Sequence, residues 1–509
     1  MSYINLYDTT LRDGAQSPLV HFTMAGKIEA ARQLDSIGFD YLEAGFPQAG
    51  GQDGYFSQVR SLGLKTKIAA FGMTPRSHDF ENDPNLKSLI DAGTDVVTLV
   101  AKTPESQIRG VLRMSPHEYR ALARQSIRYL KSLGKDVMLD SEHFFDAYKE
   151  DRKEAMEMLQ ACGDADWLVL CDTNGGMDYR DVGGVVKDVK RAMGDRIGVH
   201  FHNDRGQSLP CTLEAVYAGA RQLQGTMNNM GERTGNANMA EIISNLFAGG
   251  FEMGADPKML TDVSRALERL SGWSILPNAP FVGRFAFAHS GGMHSDAMLK
   301  MDRAYEHFRP EDFGNKRSFP VSGQAGRAAI VMKLNSWGYD FGKNSPVVVG
   351  LLRDLDDMGY VGDAQLHRMF MKGAGGYKNP IEIVKVDVSD NITVGGSRPE
   401  AIVKLRVDGR TFLEVSGGDG QVDAIDKAAR KALRVRYPMI DDVKLLSYTV
   451  PPITGTGSDA AVKVWACFGY NSFKWDSFRN GTDIVAESAM AILDAYSFFL
   501  LRQEELDKR

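Results

Sequence analysis

The sequence predicts an α/β protein: a (β/α)8 barrel, then a helical linker, then a C-terminal α+β domain. Three observations carry that expectation. Between Ile4 and about residue 250, a short apolar or β-branched run, a polar or glycine-bearing end and a stretch of helical spacing recur eight times. The polar residues gather at the carboxyl ends of those runs, where a barrel collects its chemistry. After about residue 252, and again at Gly373-Ala-Gly-Gly376, the rhythm changes. The expected divisions are 1–252 for the barrel, 253–376 for the linker and 377–509 for the tail.

The strand candidates in order are Ile4–Thr10, Tyr41–Phe46, Lys67–Met73, Val96–Lys102, Asp136–Phe144, Trp167–Asn174, Gly198–Asp204 and Gln222–Gly231. Helical spacing between them is clearest at Ala25–Ser36, Glu118–Leu133, Lys153–Ala161, Val182–Met193 and Thr212–Gly219, where apolar residues recur every three or four positions. Parallel strands need such crossovers. A doubly wound open sheet shares the alternation, and the polar residues separate the two. Asp8, Arg12 and Asp13 follow run one; Glu43 lies in run two, Lys102 ends run four, Glu142 run five, and Asp172 with Thr173 run six. His200 and His202 lie in run seven, and Asn228 with Glu232 follow in and after run eight. Nearly every run contributes, as at the mouth of a TIM barrel. Beyond it, 257–272 reads as an amphipathic helix, and a helical stretch lies near 345–372. In the tail, alternating strands at Ile381–Val388, Ala401–Val407 and Thr411–Val415 precede helices at 421–435 and near 480–502.

At 509 residues the chain has room for a barrel of roughly 250 residues and further domains. A formal net charge of −6 without a long Lys/Arg block argues against nucleic acid as a partner and leaves small polar ligands. Cys162, Cys171, Cys211 and Cys467 are scattered and form no CxxC pair, so neither a disulfide framework nor a thiolate zinc site is expected. Strand-like residues follow the first Met directly and no apolar run approaches the length needed to span a bilayer, so a cytoplasmic chain without leader or membrane contact is expected.

The most informative residues are His200-Phe-His202 in Gly198-Val-His-Phe-His-Asn-Asp204. Residues i and i+2 of a strand project from one face, so the two imidazoles stand side by side. They can chelate a divalent metal; a hydrogen-bonded pair at a strand end is the alternative. Asp13, past the first run, is a hard oxygen donor, and Arg12 can neutralise a carboxylate or a developing oxyanion.

Three motifs then carry a resemblance. Leu11-Arg-Asp-Gly-Ala-Gln16 is followed by Lys27. Ile197 precedes His200-Phe-His-Asn-Asp-Arg-Gly206, and Gly231-Glu-Arg-Thr-Gly-Asn236 comes third. In this order they resemble the family of α-isopropylmalate, homocitrate and citramalate synthases, over nearly the whole chain. The resemblance implies a divalent metal (Mg, Mn or Zn) held by Asp13, His200, His202 and Asn236, with a 2-oxo acid on its open positions. It implies acetyl-CoA as co-substrate and loss of a methyl proton to Glu142 and His294 acting together. It further implies that Arg12 polarises the ketone, Glu43 orients Arg12 and Thr173 contacts the substrate carboxylate.

Glu142-His-Phe-Phe-Asp-Ala-Tyr148, Asn278-Ala-Pro-Phe-Val-Gly283, Asp296-Ala-Met-Leu-Lys300 and Gly314-Asn-Lys-Arg317 look most like long citramalate synthases, which join acetyl-CoA to pyruvate and feed isoleucine biosynthesis. Alternatives are a 2-isopropylmalate or homocitrate synthase with another oxo acid, and an acyl-CoA lyase of the hydroxymethylglutaryl-CoA lyase type. Those lyases place a catalytic cysteine in a glycine-rich loop, whereas no cysteine lies between Cys211 and Cys467 here. Departures from the family pattern fall at Ser17-Pro-Leu-Val20, Gly45-Phe-Pro47 and Pro210, and no tyrosine stands near Asn315. The tail resembles the regulatory and dimerisation domain of these synthases, which implies a homodimer and an amino-acid feedback inhibitor. Ser416-Gly-Gly-Asp-Gly420 fails the dinucleotide fingerprint and reads as a turn into a helix.

Overall fold

The computed structural model describes residues 3–48, 54–375, 378–393, 396–450 and 461–506. Gly376, in the expected break before the tail, lies outside them. The chain forms two compact units, one of Met1–Phe287 with Phe308–Lys316 and one of Ala288–His307 with Arg317–Arg509.

In the first unit, eight parallel strands close a barrel: β1 (Asn5–Asp8), β2 (Tyr41–Gly45), β3 (Lys67–Met73), β4 (Val96–Lys102), β5 (Asp136–Glu142), β6 (Trp167–Asp172), β7 (Ile197–Phe201) and β8 (Gln222–Gly225). The seam is the pairing of first strand with last, from Asn5 opposite Gln222 to Asp8 opposite Gly225. All eight expected strands are present, several of them shorter. Run one stops at Asp8, because the Asp8 carboxylate bonds the N–H and hydroxyl of Thr10 and turns the chain. Run five stops at Glu142, because His143 sits in the left-handed region at φ 59° and starts the helix Phe144–Glu150.

The crossover helices begin on capping side chains. Thr23 accepts from Gly26 N–H before Met24–Ile37, Ser115 from Glu118 N–H before Pro116–Ser132, and Asp178 from Arg180 N–H before Tyr179–Met193. Their apolar faces meet the outer faces of the strands in one continuous core, for example Leu34, Ile127, Leu130 and Val186 with Leu42, Val97, Leu139 and Leu168. A separate small cluster of Tyr7, Ala69, Val96 and Met138, drawn from four strands, fills the lumen. Gln222 reaches across it to the Met138 sulfur.

The second unit begins with helices Gly292–Lys300, Arg327–Ser336, Pro346–Asp354 and Asp363–Gly373. The expected helical stretch near 345–372 is thus two helices, separated around Gly359 and Gly362; a Cβ at Gly362 would press on the backbone N of Phe478 at 2.8 Å. Two antiparallel three-stranded sheets follow. The first holds β9 (Ile381–Thr393), β10 (Gly396–Val407) and β11 (Arg410–Gly417); the second holds β12 (Lys444–Thr449), β13 (Val462–Tyr470) and β14 (Phe473–Gly481). Each is followed by or leads into a helix, Gln421–Arg434 after the first and Ile484–Leu506 after the second, giving the βββα pattern twice. Within the last helix, Ile484–Gln503 is long and apolar enough to cross a membrane by length and composition, which corrects the expectation that no such run exists. Its apolar side chains Ile492, Tyr496, Phe498 and Phe499 are buried in the core of this unit, and its Asp494 pairs with Arg368 and Arg479.

Candidate metal centre and active site

Three elements of the barrel bring their ends together. Asp13 opens the 3-10 turn Gly14–Gln16 after β1, His200 lies in β7, and His202 follows β7 in an isolated bridge to Asn236. Asp13, His200 and His202 each offer a ligand atom within 4.8 Å of the others. Asp13 Oδ2 lies 3.3 Å from His200 Nε2 and 3.8 Å from His202 Nε2, and the two Nε2 atoms are 3.3 Å apart. All three side chains are buried, as is Asn236.

Asn236 is delivered by the loop Gly231–Asn236. Its amide Nδ2 donates to Met230 O at 3.2 Å, which leaves Oδ1 buried and, among the described residues, without a hydrogen-bond partner. An orphaned buried carbonyl oxygen costs roughly 1–3 kcal/mol, so its retention calls for a ligand. Two glycines make the loop feasible. Gly231 and Gly235 have φ of 143° and 88°; a Cβ on the first would collide with the Asn236 amide, and on the second with the backbone oxygen of Asn229.

Around this cluster the charge is unbalanced. Asp8, Asp13, Glu43 and Asp140 are buried near one another with Arg12 as the cation among them. Burial would raise Asp13, but Arg12 and then His200 outweigh it and hold the carboxyl well below the usual range. Burial pushes Asp8 and Glu43 up to about 7, against the pull of Arg12 on Glu43. Burial lowers His200, but the hydrogen bond and charge of Asp13 together with the charge of Asp140 outweigh it and raise the imidazole; His202 falls to about 4 through burial and then the neighbouring His200. A neutral His202, an ionised Asp13 and a surplus of carboxylates are the donors a divalent cation takes, and two imidazole nitrogens facing each other at 3.3 Å suit one ion between them better than two protons.

Arg12 is held rigidly. Its Nε donates to Glu43 Oε2 at 2.6 Å and its guanidinium lies 3.9 Å from the Phe71 ring centroid, while Glu43 Oε1 accepts from Tyr7 at 3.1 Å. The remaining guanidinium nitrogens are available to a ligand, with Nη1 3.7 Å from Asp13. Glu142 ends β5 paired with Lys102 at 2.7 Å and stays partly exposed. The Thr173 hydroxyl accepts from His143 N–H at 2.8 Å, so its own O–H remains to donate. His294 belongs to the second unit, on Gly292–Lys300, stacked on Tyr305 with ring centroids 3.9 Å apart.

Thus Arg12, Asp13, Glu43, His200, His202 and Asn236 are built into one end of the barrel, where Glu142 ends β5 and Thr173 directly follows β6. Sequence reading missed four neighbours. Gln224 accepts from His200 Nδ1 at 3.0 Å and donates to Asp140 at 2.9 Å. Phe71 supports Arg12, and Tyr305 lies on His294. Gln224 had a signal, since Gln222-Leu-Gln-Gly225 alternates polar and apolar in a strand otherwise expected to be buried.

Residues 3–267 match the HMGL-like family model, 281–353 the homocitrate synthase post-HMGL domain-like model, and 360–500 the LeuA allosteric (dimerisation) domain. The (R)-citramalate synthase of Aquifex aeolicus is 36% identical, over 99% of this chain and 98% of that one. The (R)-citramalate synthase of Sulfolobus acidocaldarius is also 36% identical, over 98% and 97%. A probable 2-isopropylmalate synthase of Methanopyrus kandleri is 34% identical, over 91% of each.

Proposed function

Because the chain belongs to the family of α-isopropylmalate, homocitrate and citramalate synthases, which are acyltransferases, we propose that it condenses acetyl-CoA with pyruvate to give (R)-citramalate and CoA, on the way to isoleucine. The observation that carries this reading is the buried convergence of Asp13, His200 and His202 beside Arg12. The choice of pyruvate follows the (R)-citramalate synthase relatives, which align over nearly the whole chain.

Asp13, His200, His202 and Asn236 would hold a divalent ion, Mg, Mn or Zn, which when bound supplies Lewis acidity toward the 2-oxo acid's carbonyl. Arg12, fixed by Glu43 and Phe71, presents its free guanidinium nitrogens to the oxygen that gains charge as the ketone is attacked. Thr173 donates to the substrate carboxylate through the O–H that its bond from His143 leaves free. Glu142 is the proposed acceptor of the acetyl methyl proton, and His294 is the second residue that the family resemblance implies for that step. Lys102 lies 2.7 Å from Glu142 and holds its carboxylate in place. Water then cleaves the thioester, which makes the condensation irreversible.

In this reading 1–252 is catalytic, 253–376 is a linker and 377–509 is regulatory. The match of 360–500 to the LeuA allosteric (dimerisation) domain supports a homodimer and an amino-acid effector at the tail. Four cysteines without disulfides support action in the reducing cytoplasm.

Free-thiol release from acetyl-CoA tests the reading. Release that requires pyruvate and stops with a chelator is the expected result; release that ignores both overturns it, and release with a longer 2-oxo acid alone would reassign the substrate.

A further inference from the structure

The imidazole of His200 is the buried midpoint of a chain of hydrogen bonds. On one side its Nε2 faces Asp13 and His202. On the other its Nδ1 lies 3.0 Å from Gln224 Oε1, and Gln224 Nε2 donates 2.9 Å to Asp140 Oδ1. Gln224 is 1% and Asp140 3% exposed, so water does not compete for these bonds. The chain spans the lumen, from β7 through β8 to β5.

Its polarity runs in one direction. A carboxylate only accepts, so Asp140 turns the NH2 of Gln224 toward itself. The amide oxygen is then left facing Nδ1, which must carry the hydrogen. With Nδ1–H committed, the lone pair of His200 falls on Nε2, the atom facing Asp13 and His202. We propose that Gln224 and Asp140 are positioning residues which fix the tautomer and ring orientation of His200 for metal binding. This rests on the metal-centre reading above. Neither residue would touch the ion; such supporting partners typically contribute 10–100-fold in metal affinity.

The test is the dissociation constant for Mn or Zn, measured on the full chain by competition with a chelating dye, with the melting temperature of the metal-free protein as a fold control. Gln224→Leu is expected to weaken binding about 10–100-fold. Asp140→Asn, nearly isosteric and without the fixed polarity, and Gln224→Glu, which sets two carboxylates face to face, are each expected to weaken it as well. Combining Gln224→Glu with Asp140→Asn reverses the polarity of the outer bond while keeping an acceptor at Nδ1, and should restore most of the affinity. A merely structural role would move the melting temperature without this rescue. Unaltered affinity in Gln224→Leu and Asp140→Asn, or a double variant no better than the singles, overturns the proposal. If the unaltered protein binds no divalent ion, the metal-centre reading fails first and takes the proposal with it.

Discussion

A buried histidine outside the barrel shows how far one side chain can set the response to acid. His367 is fully buried in the second unit, its Nε2 3.1 Å from the Tyr339 hydroxyl and its ring at right angles to Trp337. Burial, and then the nearby Arg502, lower it from the usual 6.5 to about 3. The folded state therefore holds it neutral and the unfolded state takes up a proton first. Its contribution is complete above pH 6.5 and is lost as pH falls toward 3, at 1.36 kcal/mol for each unit, or about 2 kcal/mol by pH 5. In thermal melts His367→Gln should lose less stability between pH 7 and 5 than the unaltered protein; the same change with pH in both would place the acid sensitivity elsewhere. At this scale the sequence was legible where a motif fixes spacing, as at Arg12-Asp13 and His200-Phe-His202. It was silent on Phe71 beneath Arg12 and on Asp140, because contacts between strands distant in sequence leave no local pattern.

Among the elements, strands were easier to foresee than where they stop. Hydrophobic alternation reports which residues face a core, but termination depends on single side-chain bonds such as those from Asp8 to Thr10. The second sheet of the tail was not foreseen, since β13 carries Trp465-Ala-Cys-Phe-Gly469, with no polar alternation to mark a half-buried strand. The loop Gly231–Asn236 carries the fourth of the proposed metal ligands. Gly235→Ala introduces a Cβ at positive φ against the Asn229 carbonyl, which must shift the loop carrying Asn236. The expected outcome is weaker metal binding and lower turnover with far-ultraviolet circular dichroism unchanged, since no barrel strand is touched. Unaltered metal affinity would show that the loop tolerates the shift.

For the whole molecule, the two compact units correspond to two different kinds of sequence evidence. The barrel was announced by an eight-fold rhythm and by polar residues at its strand ends. The second unit was visible mainly as a change of composition and through its family resemblance. The barrel seam has a further consequence. Asp13 follows the first strand and Asn236 the last, so a bound ion would cross-link positions that are far apart in an open chain yet adjacent once Asn5–Asp8 pairs with Gln222–Gly225. The ion then acts as a clasp on a loop of chain spanning almost the entire barrel, and its affinity becomes resistance to unfolding. At a free concentration one hundred times the dissociation constant, the folded state gains about 2.7 kcal/mol. The melting temperature of the barrel should therefore climb with metal concentration in the absence of any substrate, and a chelator should return it to its starting value. A melting temperature indifferent to metal would mean that the ring closes without a clasp.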